Sequence, residues 1–575
     1  MQIRQLKIQN FRGISSLDWA PRGAFCCLIG AGDSGKSTIL DAAEAALNSR
    51  WFSFSESDFL AGDTSNAIQI EVTVGELSRT LKSDERFGLY IRGWTQAGSL
   101  RDEPEGNDEP VLTVRLTVDA TLEPVWELTC DRVEMPRTLS NRDRALFGLV
   151  RLAGDDARHL AWGQGSVLSR LTGDNKEAAT RLAEAYRAAR ESAKLGDIES
   201  LANTATAAEG FAKGLGAYVE GHYEPGLELG RSGLSSGSIA LHDDGVPLRL
   251  AGLGTRRLAT LAIQKSAITE GAIILVDEIE HGLEPHRIIG AISQLRADQS
   301  AAVAASSPVG QVLLTTHSDI ALAECGAEAL HVIQTSRPDR MTTAKKAEAP
   351  VPIAILMRFT PRALFARRIL VCEGMTEVGL LLGVREQWPS RHQGKPIEQL
   401  GVAIADGNGS QAPEMALALA SLGYPTAIFM DSDVALPAHT AWLLNRAGVK
   451  VFEYGEMLNT EQAVFSAASN QRVQELLDIA RTNHGETQVN DALFPKIPGL
   501  THVTIREHFK QWEFNCNFSD PELKLIVANV AKNKKWFKDQ RYGREIGPIV
   551  WNIMGENPAA PLTQVLIHVE GWAYA

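Results

Sequence analysis

The chain has 575 residues, of which 44% are hydrophobic, and a formal net charge of −13. Its length suggests about three to four domains. The acidic balance excludes a uniformly basic nucleic-acid surface, so contact with DNA would need local basic patches. The six cysteines lack C-x-x-C spacing, which argues against a zinc site or a disulfide framework. With no signal-peptide core and no run of about 18 apolar residues, we expect a cytoplasmic protein without membrane contact.

Alternating polar and apolar residues near the N-terminus predict strands. The pattern begins at residues 2–9, and a second strand is expected to end near Trp19. It returns in residues 67–77 and 111–118, with a third such segment at 125–133. We expect these segments to form an antiparallel β layer.

Residues 30–37 read GAGDSGKS and fit the phosphate-loop pattern G-x-x-x-x-G-K-[ST]. The apolar run 25–29 predicts the strand that enters this loop, and 38–47 predicts the helix that leaves it. Backbone N–H groups and the helix N-terminus would face the phosphates, Lys36 would reach the β- and γ-phosphates, and Ser37 would ligate Mg²⁺. The residues assigned to ATP are Gly30, Gly32, Asp33, Ser34, Gly35, Lys36, Ser37 and Thr38.

A second apolar strand, residues 272–278, ends in two carboxylates in the form of a Walker B element. Asp277 would hold Mg²⁺, and Glu278 would act catalytically by polarising the attacking water. A third strand, 311–318, ends in His317, at the position of a γ-phosphate sensor.

Residues 250–257 read LAGLGTRR and precede a helix predicted over 258–268. These elements together resemble an ATP-binding cassette (ABC) ATPase of the branch that includes recombination and chromosome-maintenance ATPases. The resemblance implies a dimer in which the signature residues Gly252 and Gly254 of one subunit cover ATP on the other. Ala251 replaces the usual signature serine, Gly32 replaces the loop asparagine, and no Q-loop is evident. Nucleotide binding is therefore better supported than rapid hydrolysis.

Residues 174–219 have helical spacing and predict a helical insert, which is either a surface arm or a dimerisation arm. Residues 335–352 lack periodicity and are interpreted as a boundary loop. We predict an α/β protein with these parts: ATPase 1–173, helical insert 174–219, ATPase 220–340, linker 341–355, a second α/β domain 356–480 and a helical region 481–575.

The second α/β domain carries carboxylates where two predicted strands end. Glu373 follows the strand 367–372, and Glu377 lies four residues further on. The strand 424–430 is followed by Asp431 and Asp433, which alternation would place on one face. Such oxygen-rich strand ends can hold Mg²⁺ or Mn²⁺ and support phosphoryl transfer.

Three further features stay open at this level. Glu461 is either another metal ligand or a helix-start glutamate. Asp406 could join the site, although a turn-forming role is favoured. Residues 532–544 contain six basic and three aromatic residues, which form either a solvated face or a surface for phosphate contact and base stacking.

The strand-Glu-Gly and strand-Asp-x-Asp pattern resembles a Toprim domain. An ABC ATPase followed by Toprim resembles the OLD (overcoming lysogenisation defect) family of nucleases, including the Gabija-type antiphage nucleases. The resemblance implies a homodimer or higher homo-oligomer that cuts double-stranded DNA, with a UvrD-like helicase as a candidate partner. It also implies a metal-dependent centre and a functional lysine, for which Lys538 is the first choice and Lys535 the second. The implied metal-binding residues are Glu373, Glu377, Asp431, Asp433 and Glu461.

From this combination we predict an ATP-gated DNA endonuclease that uses a two-metal or similar mechanism. One rival hypothesis is an ABC ATPase that acts on DNA ends and carries a non-catalytic Toprim scaffold. Another is a Toprim primase or topoisomerase, but no zinc module and no additional domain with a nucleophilic tyrosine are evident in the sequence.

Overall fold

The computed structural model describes residues 1–48, 52–152, 161–162, 194–228, 238–266, 271–497 and 521–575. Two compact units divide the chain: Met1–Ile29 with Asp33–Ala344, and Lys345–Ala575 with Gly30–Gly32. Within these described ranges, no helix combines the length and the apolarity needed to cross a membrane.

The N-terminal part of the chain is rich in strands. Its strands are β1 (Gln2–Phe11), β2 (Ile14–Trp19), β3 (Phe25–Ile29), β4 (Ile68–Gly75), β5 (Arg92–Trp94), β6 (Leu100–Arg101), β7 (Glu109–Val118), β8 (Pro124–Leu128), β9 (Arg137–Thr138), β10 (Leu149–Leu152), β11 (Ala161–Trp162), β12 (Tyr223–Glu228), β13 (Ser238–Asp243), β14 (Val246–Pro247), β15 (Ile273–Val276), β16 (Gln311–Thr315), β17 (Leu330–Thr335) and β18 (Thr342–Lys346). Its α-helices are α1 (Lys36–Leu47), α2 (Asp84–Phe87), α3 (Asn141–Ala145), α4 (Glu199–Gly214), α5 (Leu253–Ser266), α6 (Pro285–Ala304) and α7 (Asp319–Cys325).

The predicted antiparallel layer is confirmed as an eight-stranded sheet whose main path is β2-β1-β4-β7-β5-β6. Alternating residues of β4, such as Ile68 and Ile70, are fully buried, as expected for a strand with one face on a core. The third predicted strand is shorter than expected, because β8 ends at Leu128.

A second sheet has the order β10-β15-β16-β3-β17-β18. Strands β10, β15, β16, β3 and β17 run parallel to one another. All five residues of β16 are buried, which explains the apolar residues 312–314 at its centre. Because parallel strands end at the same edge, this order brings the segments after β3, β15 and β16 close together.

The structure bears on the predicted boundary loop, the helix after the signature segment and the helical insert. The prediction that residues 335–352 form a loop is wrong, because residues 342–346 form β18 and a helix begins at Pro350, although the division between the two units does fall within this segment. The helix expected over 258–268 begins earlier, at Leu253, because the turn before it ends at Ala251. Within the helical insert, residues 199–214 form α4, whereas 174–193 lie outside the described residues.

The C-terminal unit contains a second parallel sheet and many helices. Its strands are β19 (Arg368–Cys372), β20 (Val402–Asp406), β21 (Thr426–Met430) and β22 (Lys450–Glu453), in the order β20-β19-β21-β22. Its α-helices are α8 (Pro350–Phe359), α9 (Met375–Val384), α10 (Ala412–Ser421), α11 (Ala438–Arg446), α12 (Thr460–Ala467), α13 (Asn470–His484), α14 (Glu486–Leu493), α15 (Pro521–Asn533), α16 (Gln540–Glu545), α17 (Gly547–Glu556) and α18 (Pro561–Tyr574).

The helix α9, which follows β19, packs directly on the backbone of C-terminal helices. A Cβ on Gly379 would lie 2.8 Å from Gly543 Cα, and one on Gly383 would lie 2.4 Å from Arg544 O and 2.8 Å from Gly547 Cα. These distances are too short for any side chain. The glycines therefore permit a backbone-to-backbone contact that fixes α9 against α16 and α17.

We expect Gly383→Ala to destabilise this unit by roughly 1–3 kcal/mol, because backbone atoms must shift to admit the methyl group. Calorimetry of the full chain would show a lower unfolding temperature. Gly555→Ala, in α17, is the matched control: its Cβ would meet nothing within 4 Å, and alanine favours helix by roughly 0.5–1 kcal/mol. Equal unfolding temperatures for the two variants would contradict the close contact.

Candidate functional site

The phosphate loop joins β3 to α1 as predicted. Asp33 and Gly35 adopt positive φ values of 60° and 90°, and α1 begins directly after Gly35 at Lys36. The Lys36 side chain is buried, with Nζ 3.3 Å from the Ser34 hydroxyl. Burial lowers the pKa of Lys36, and Asp277 opposes this shift. An N-terminal helix end beside a buried lysine is an arrangement suited to phosphate.

Ser37 and Asp277 meet as the two motifs predict. The Ser37 hydroxyl lies 3.0 Å from Asp277 Oδ1, to which the Thr315 hydroxyl donates at 2.6 Å. Arg151 Nη2 donates to Asp277 Oδ2 at 2.9 Å and to Asp41 Oδ1 at 2.8 Å. The carboxylate is therefore oriented toward Ser37, where the predicted Mg²⁺ would bind, and Arg151 is a contact that the motifs did not reveal.

Glu278 and His317 lie at the ends of neighbouring strands. The Glu278 backbone N–H donates to Thr315 Oγ1 at 2.8 Å, its φ is 46°, and its side chain is 52% exposed. The His317 backbone N–H donates to Glu280 Oε1 at 2.6 Å. The pKa of His317 is lowered first by burial and then by the Lys36 cation. Glu280, which orients this segment, was not predicted.

The signature segment packs on the Walker B turn of the same chain. Arg257, on α5, donates to the backbone carbonyls of Asp277 and Glu278. A Cβ on Gly254 would lie 2.6 Å from Gly282 O, whereas one on Gly252 would meet nothing within 4 Å. Gly254 thus has a packing role within this unit, whereas the position of the Gly252 Cβ is not filled by neighbouring atoms. Of the remaining loop residues, Gly32 and Ser37 are exposed and Thr38 is half-buried.

The acidic centre lies where β19 and β21 end side by side. Their residues pair in parallel register, so Glu373 and Asp431 follow neighbouring strand ends. The Asp431 backbone N–H donates to Glu373 Oε2 at 2.9 Å. Because β21 ends at Met430, strand alternation does not extend to Asp431 and Asp433, and that part of the sequence argument is wrong.

One hydroxyl joins the carboxylates of Glu377 and Asp431. Thr460 Oγ1 lies 2.7 Å from Glu377 Oε1, 2.8 Å from Asp431 Oδ1 and 3.1 Å from the Tyr454 hydroxyl. Glu377 also accepts a 3.0 Å hydrogen bond from the Gly374 backbone N–H at the start of α9. Neither Thr460 nor Tyr454 was predicted, since no local pattern marks them.

Burial and mutual repulsion disfavour the state in which both carboxylates of this pair are ionised. Burial first, and then Asp431, raise the pKa of Glu377 to about 8. Burial also raises the pKa of Asp431 to about 7, with Glu373, Glu461 and Asp433 adding to the shift and Thr460 opposing it. A cation bound here would relieve this repulsion.

The remaining carboxylates face lysines. Lys532 Nζ donates to Asp433 Oδ2 at 2.6 Å. Burial raises the pKa of Glu461, and the charges of Lys532 and Lys538 oppose this shift. Lys538, the lysine favoured from sequence, is therefore near enough to act on Glu461, but the lysine in direct contact with the acidic motif is Lys532.

The aromatic residues of segment 532–544 do not form a stacking surface. Trp536 and Phe537 are 2% and 1% exposed and belong to the core. Tyr542 is half-buried, with its ring edge-on to His484 at 5.1 Å. The interpretation as a base-stacking surface is therefore wrong for these residues. Asp406 forms a turn, as favoured, since its Oδ1 accepts from the Asn408 N–H at 3.0 Å.

The donor set suits a hard divalent cation, although not through all five carboxylates at once. Among the described residues, no three His, Cys, Asp or Glu side chains are arranged to hold one ion. Glu377 and Asp431 converge on Thr460, and two carboxylates with water ligands are a usual set for Mg²⁺. The observed geometry thus fits an ion held by this pair.

Comparison with known proteins matches two domain families. Residues 164–323 match an AAA domain family whose description also names the AbiEii toxin of a type IV toxin–antitoxin system. Residues 364–433 match the family described as "Overcoming lysogenization defect protein-like, TOPRIM domain". No curated protein sequence matches significantly.

The solved structures similar to this chain include Smc head domains. The Smc head domain with an extended coiled coil from Pyrococcus furiosus, bound to the C-terminal domain of ScpA, is 14% identical with a TM-score of 0.35, covering 62% of this chain and 99% of that chain. The SMC head domain from Thermotoga maritima is 15% identical with a TM-score of 0.30, covering 61% and 100%.

The fold and the two family matches define an ATPase domain followed by a TOPRIM domain in a mixed α/β chain with a helical C-terminus. This order, an ATPase domain followed by an OLD-like TOPRIM domain, agrees with the resemblance to the OLD family stated from the sequence.

In the metal-free chain, we expect stability to fall as the pH rises from about 4 to about 8, because over this range Asp431 and Glu377 stay protonated in the folded chain and ionise in the unfolded chain. Their folded pKa values exceed the ordinary carboxyl values, so their contribution is complete at about pH 4 and below and is lost above both folded values. Glu377→Gln should reduce the drop in unfolding temperature between pH 5 and pH 9 by several degrees.

The exposed residue Glu414 provides the matched control, since Glu414→Gln should retain the wild-type drop. If Glu377→Gln and wild type lost the same number of degrees between the two pH values, the raised pKa of Glu377 would be contradicted.

Proposed function

We propose that this protein is an ATP-regulated, metal-dependent DNA endonuclease of antiphage defence, related to the nuclease subunit of Gabija-type systems. The observation that carries the proposal is the convergence of Glu377 and Asp431 on Thr460, with Glu373 bound to the Asp431 backbone. Fold stability does not explain several buried carboxylates at one place, because neutral residues there would avoid the cost of desolvating charge.

Glu377 and Asp431 would hold Mg²⁺ or Mn²⁺, with Glu373 beside them. When bound, such an ion supplies a more acidic water and neutralises charge on the phosphodiester. The chain's own contributions are orientation and charge. Thr460 holds the two carboxylates toward one point, and Lys532 and Lys538 place positive charge beside Asp433 and Glu461. That positive charge would favour an approaching phosphate.

The nucleotide site would act as the regulator. Lys36, Ser37, Asp277 and His317 would bind Mg²⁺-ATP, with Glu278 as the residue that polarises water. We further propose a homodimer or higher homo-oligomer whose signature residues, Gly252 and Gly254 among them, cover ATP across subunits. Double-stranded DNA would be the substrate, a UvrD-like helicase a candidate partner, and the cytoplasm the location.

The alternative is an ABC ATPase that acts at DNA ends and uses the TOPRIM domain only as a scaffold. The burial of Glu377 and the contact that it shares with Asp431 through Thr460 favour the nuclease, since a scaffold would gain stability by replacing these carboxylates with neutral residues.

The nuclease proposal is tested by nicking of supercoiled plasmid with Mg²⁺ or Mn²⁺. Asp431→Asn and Glu373→Gln should each lower the cleavage rate by about 100-fold or more, because they remove charge that a cation needs. Glu414→Gln should cut at the wild-type rate. Undiminished cleavage by both site variants would assign the activity elsewhere and overturn the proposal.

Regulation is tested separately with Lys36→Ala, which should abolish ATP binding because the buried cation at the phosphate loop is lost. Cleavage by this variant should no longer change when ATP is added. Binding is measured with a fluorescent ATP analogue. If cleavage still responded to ATP as in wild type, the regulatory role of this site would be wrong.

A further inference from the structure

An open cleft lies beside the acidic motif in the C-terminal unit. Its volume is about 720 Å³, and its lining includes Asn445 of α11, Lys450 of β22 and Ser432. Because Ser432 stands between Asp431 and Asp433 in the chain, the cleft reaches the acidic centre. A cleft of this size can receive a ligand as large as a nucleotide.

The turn after β22, which forms one wall of this cleft, is fixed to the acidic motif. The Ser432 hydroxyl donates to Gly455 O at 2.7 Å, and the Leu458 N–H donates to Ser432 Oγ at 3.0 Å. The Ser432 N–H also donates to Leu458 O at 3.0 Å. The cleft therefore keeps a set position relative to Asp431 and Asp433.

Helix α11, which contributes the other wall, presents planar side chains to solvent. The structure describes every residue of α11, and among them Leu444 alone is buried, whereas Trp442 is 52% exposed. The His439 ring stacks on Trp442 with centroids 6.1 Å apart, and Arg446 Cζ lies 5.2 Å from the Trp442 ring centroid. These three residues are three and four positions apart, so they form one row on a single face of the helix, here called the stacking row.

The charge of this surface favours a polyanion as its occupant. The chain has a net charge of −13, yet residues 434–452 contain no Asp or Glu. Arg446 and Lys450 lie in this stretch and are exposed, whereas the lining carboxylates Glu453 and Glu456 follow it. Exposed cations beside an exposed aromatic side chain are the groups that contact the phosphates and bases of a nucleic-acid strand.

We infer that α11 and this cleft bind an unpaired nucleotide of the DNA substrate beside the acidic centre. Its base would pack on the stacking row, and Lys450 would lie near the phosphate backbone. The inference rests on the proposed nuclease function and adds the surface that receives the strand. Bases of an intact duplex are stacked on one another, so a base reaches such a surface only where the strand is opened or unpaired.

Binding tests the inference separately from cleavage. A fluorescent duplex with a single-stranded gap is titrated with the full chain in Mg²⁺, and Glu373→Gln is present in every chain to prevent cutting. Adding Trp442→Ala should weaken binding about tenfold, because one base–aromatic stack is lost. Trp442→Phe keeps an aromatic face and should retain most of the affinity. The anisotropy of the labelled DNA gives each dissociation constant.

The cation of the stacking row is tested by salt dependence. Arg446→Gln should weaken binding and lower the slope of log affinity against log salt concentration by about one, because one fewer counterion is released.

The chain offers a matched control for both variants at a second exposed aromatic–arginine pair. Phe359 of α8 is 51% exposed, with Arg358 Cζ 5.6 Å from its ring centroid, and neither residue lines the cleft. Phe359→Ala and Arg358→Gln should bind the gapped duplex as tightly as the parent chain and with the same salt slope. Circular dichroism verifies that every variant is folded.

A crosslink locates the contact directly. With 5-iodo-deoxyuridine placed in the gap, near-ultraviolet light joins the base to an adjacent aromatic side chain. Mass spectrometry of the digested complex should then find the modified nucleotide on the peptide that contains Trp442.

The outcomes separate this inference from the proposed function. Equal affinities of the Trp442→Ala and parent chains would overturn the inference, whereas plasmid cleavage by wild type would leave the nuclease proposal intact. If Trp442→Ala left DNA affinity unchanged but reduced the oligomer mass in light scattering, α11 would be a protein contact and the inference would be wrong. Wild type that neither bound nor cut DNA would overturn the proposed function, and the inference with it.

Discussion

Parallel strands bring the residues after their carboxyl ends to one edge of a sheet, and both candidate sites of this chain depend on that constraint. In the first unit, β3, β15 and β16 are neighbours, so the helix that bears Ser37 and the turn that bears Asp277 meet although 240 residues separate them. In the second unit, β19 and β21 are neighbours, so Glu373 and Asp431 meet in the same way. Each sheet thus brings functional side chains from distant segments of the chain together without long loops.

The parts of both sites that belong to a strand and its following turn could be predicted from sequence. Apolar runs identify buried strands, and a carboxylate directly after such a run lies at the sheet edge. Asp277, Glu373 and Asp431 satisfy this rule, whereas Ser37 was predicted from the phosphate-loop pattern. The prediction failed where it extended strand geometry too far, because β21 ends at Met430 and the two aspartates follow a bend instead of an alternating strand.

Contacts through space were not predictable from one sequence. Thr460 and Lys532 reach Asp431 and Asp433 across 29 and 99 residues. Thr460 lies in no recognisable pattern, and the composition of segment 532–544 does not indicate which carboxylate Lys532 would contact. The aromatic residues after α15 were misinterpreted for a related reason. Lys535 adopts a φ of 58°, and the Trp536 N–H returns to Ala531 O at 3.0 Å. This turn ends the helix and directs Trp536 and Phe537 into the core, an outcome that composition does not encode.

The glycine contacts of α9 also show how much of the chain is needed to position the acidic residues. The family match ends at residue 433, yet α9, which bears Glu377, rests on the backbone of α16 and α17 through Gly543 and Gly547. Thr460 and Lys532 also lie beyond that limit. During evolution, a recombination event that moved only the matched segment would carry the acidic motif away from the helices that position it. The segment that must be inherited together for this site to form therefore extends well beyond the matched domain, toward the C-terminus. Substitutions in the C-terminal helices are constrained because these helices position the acidic residues.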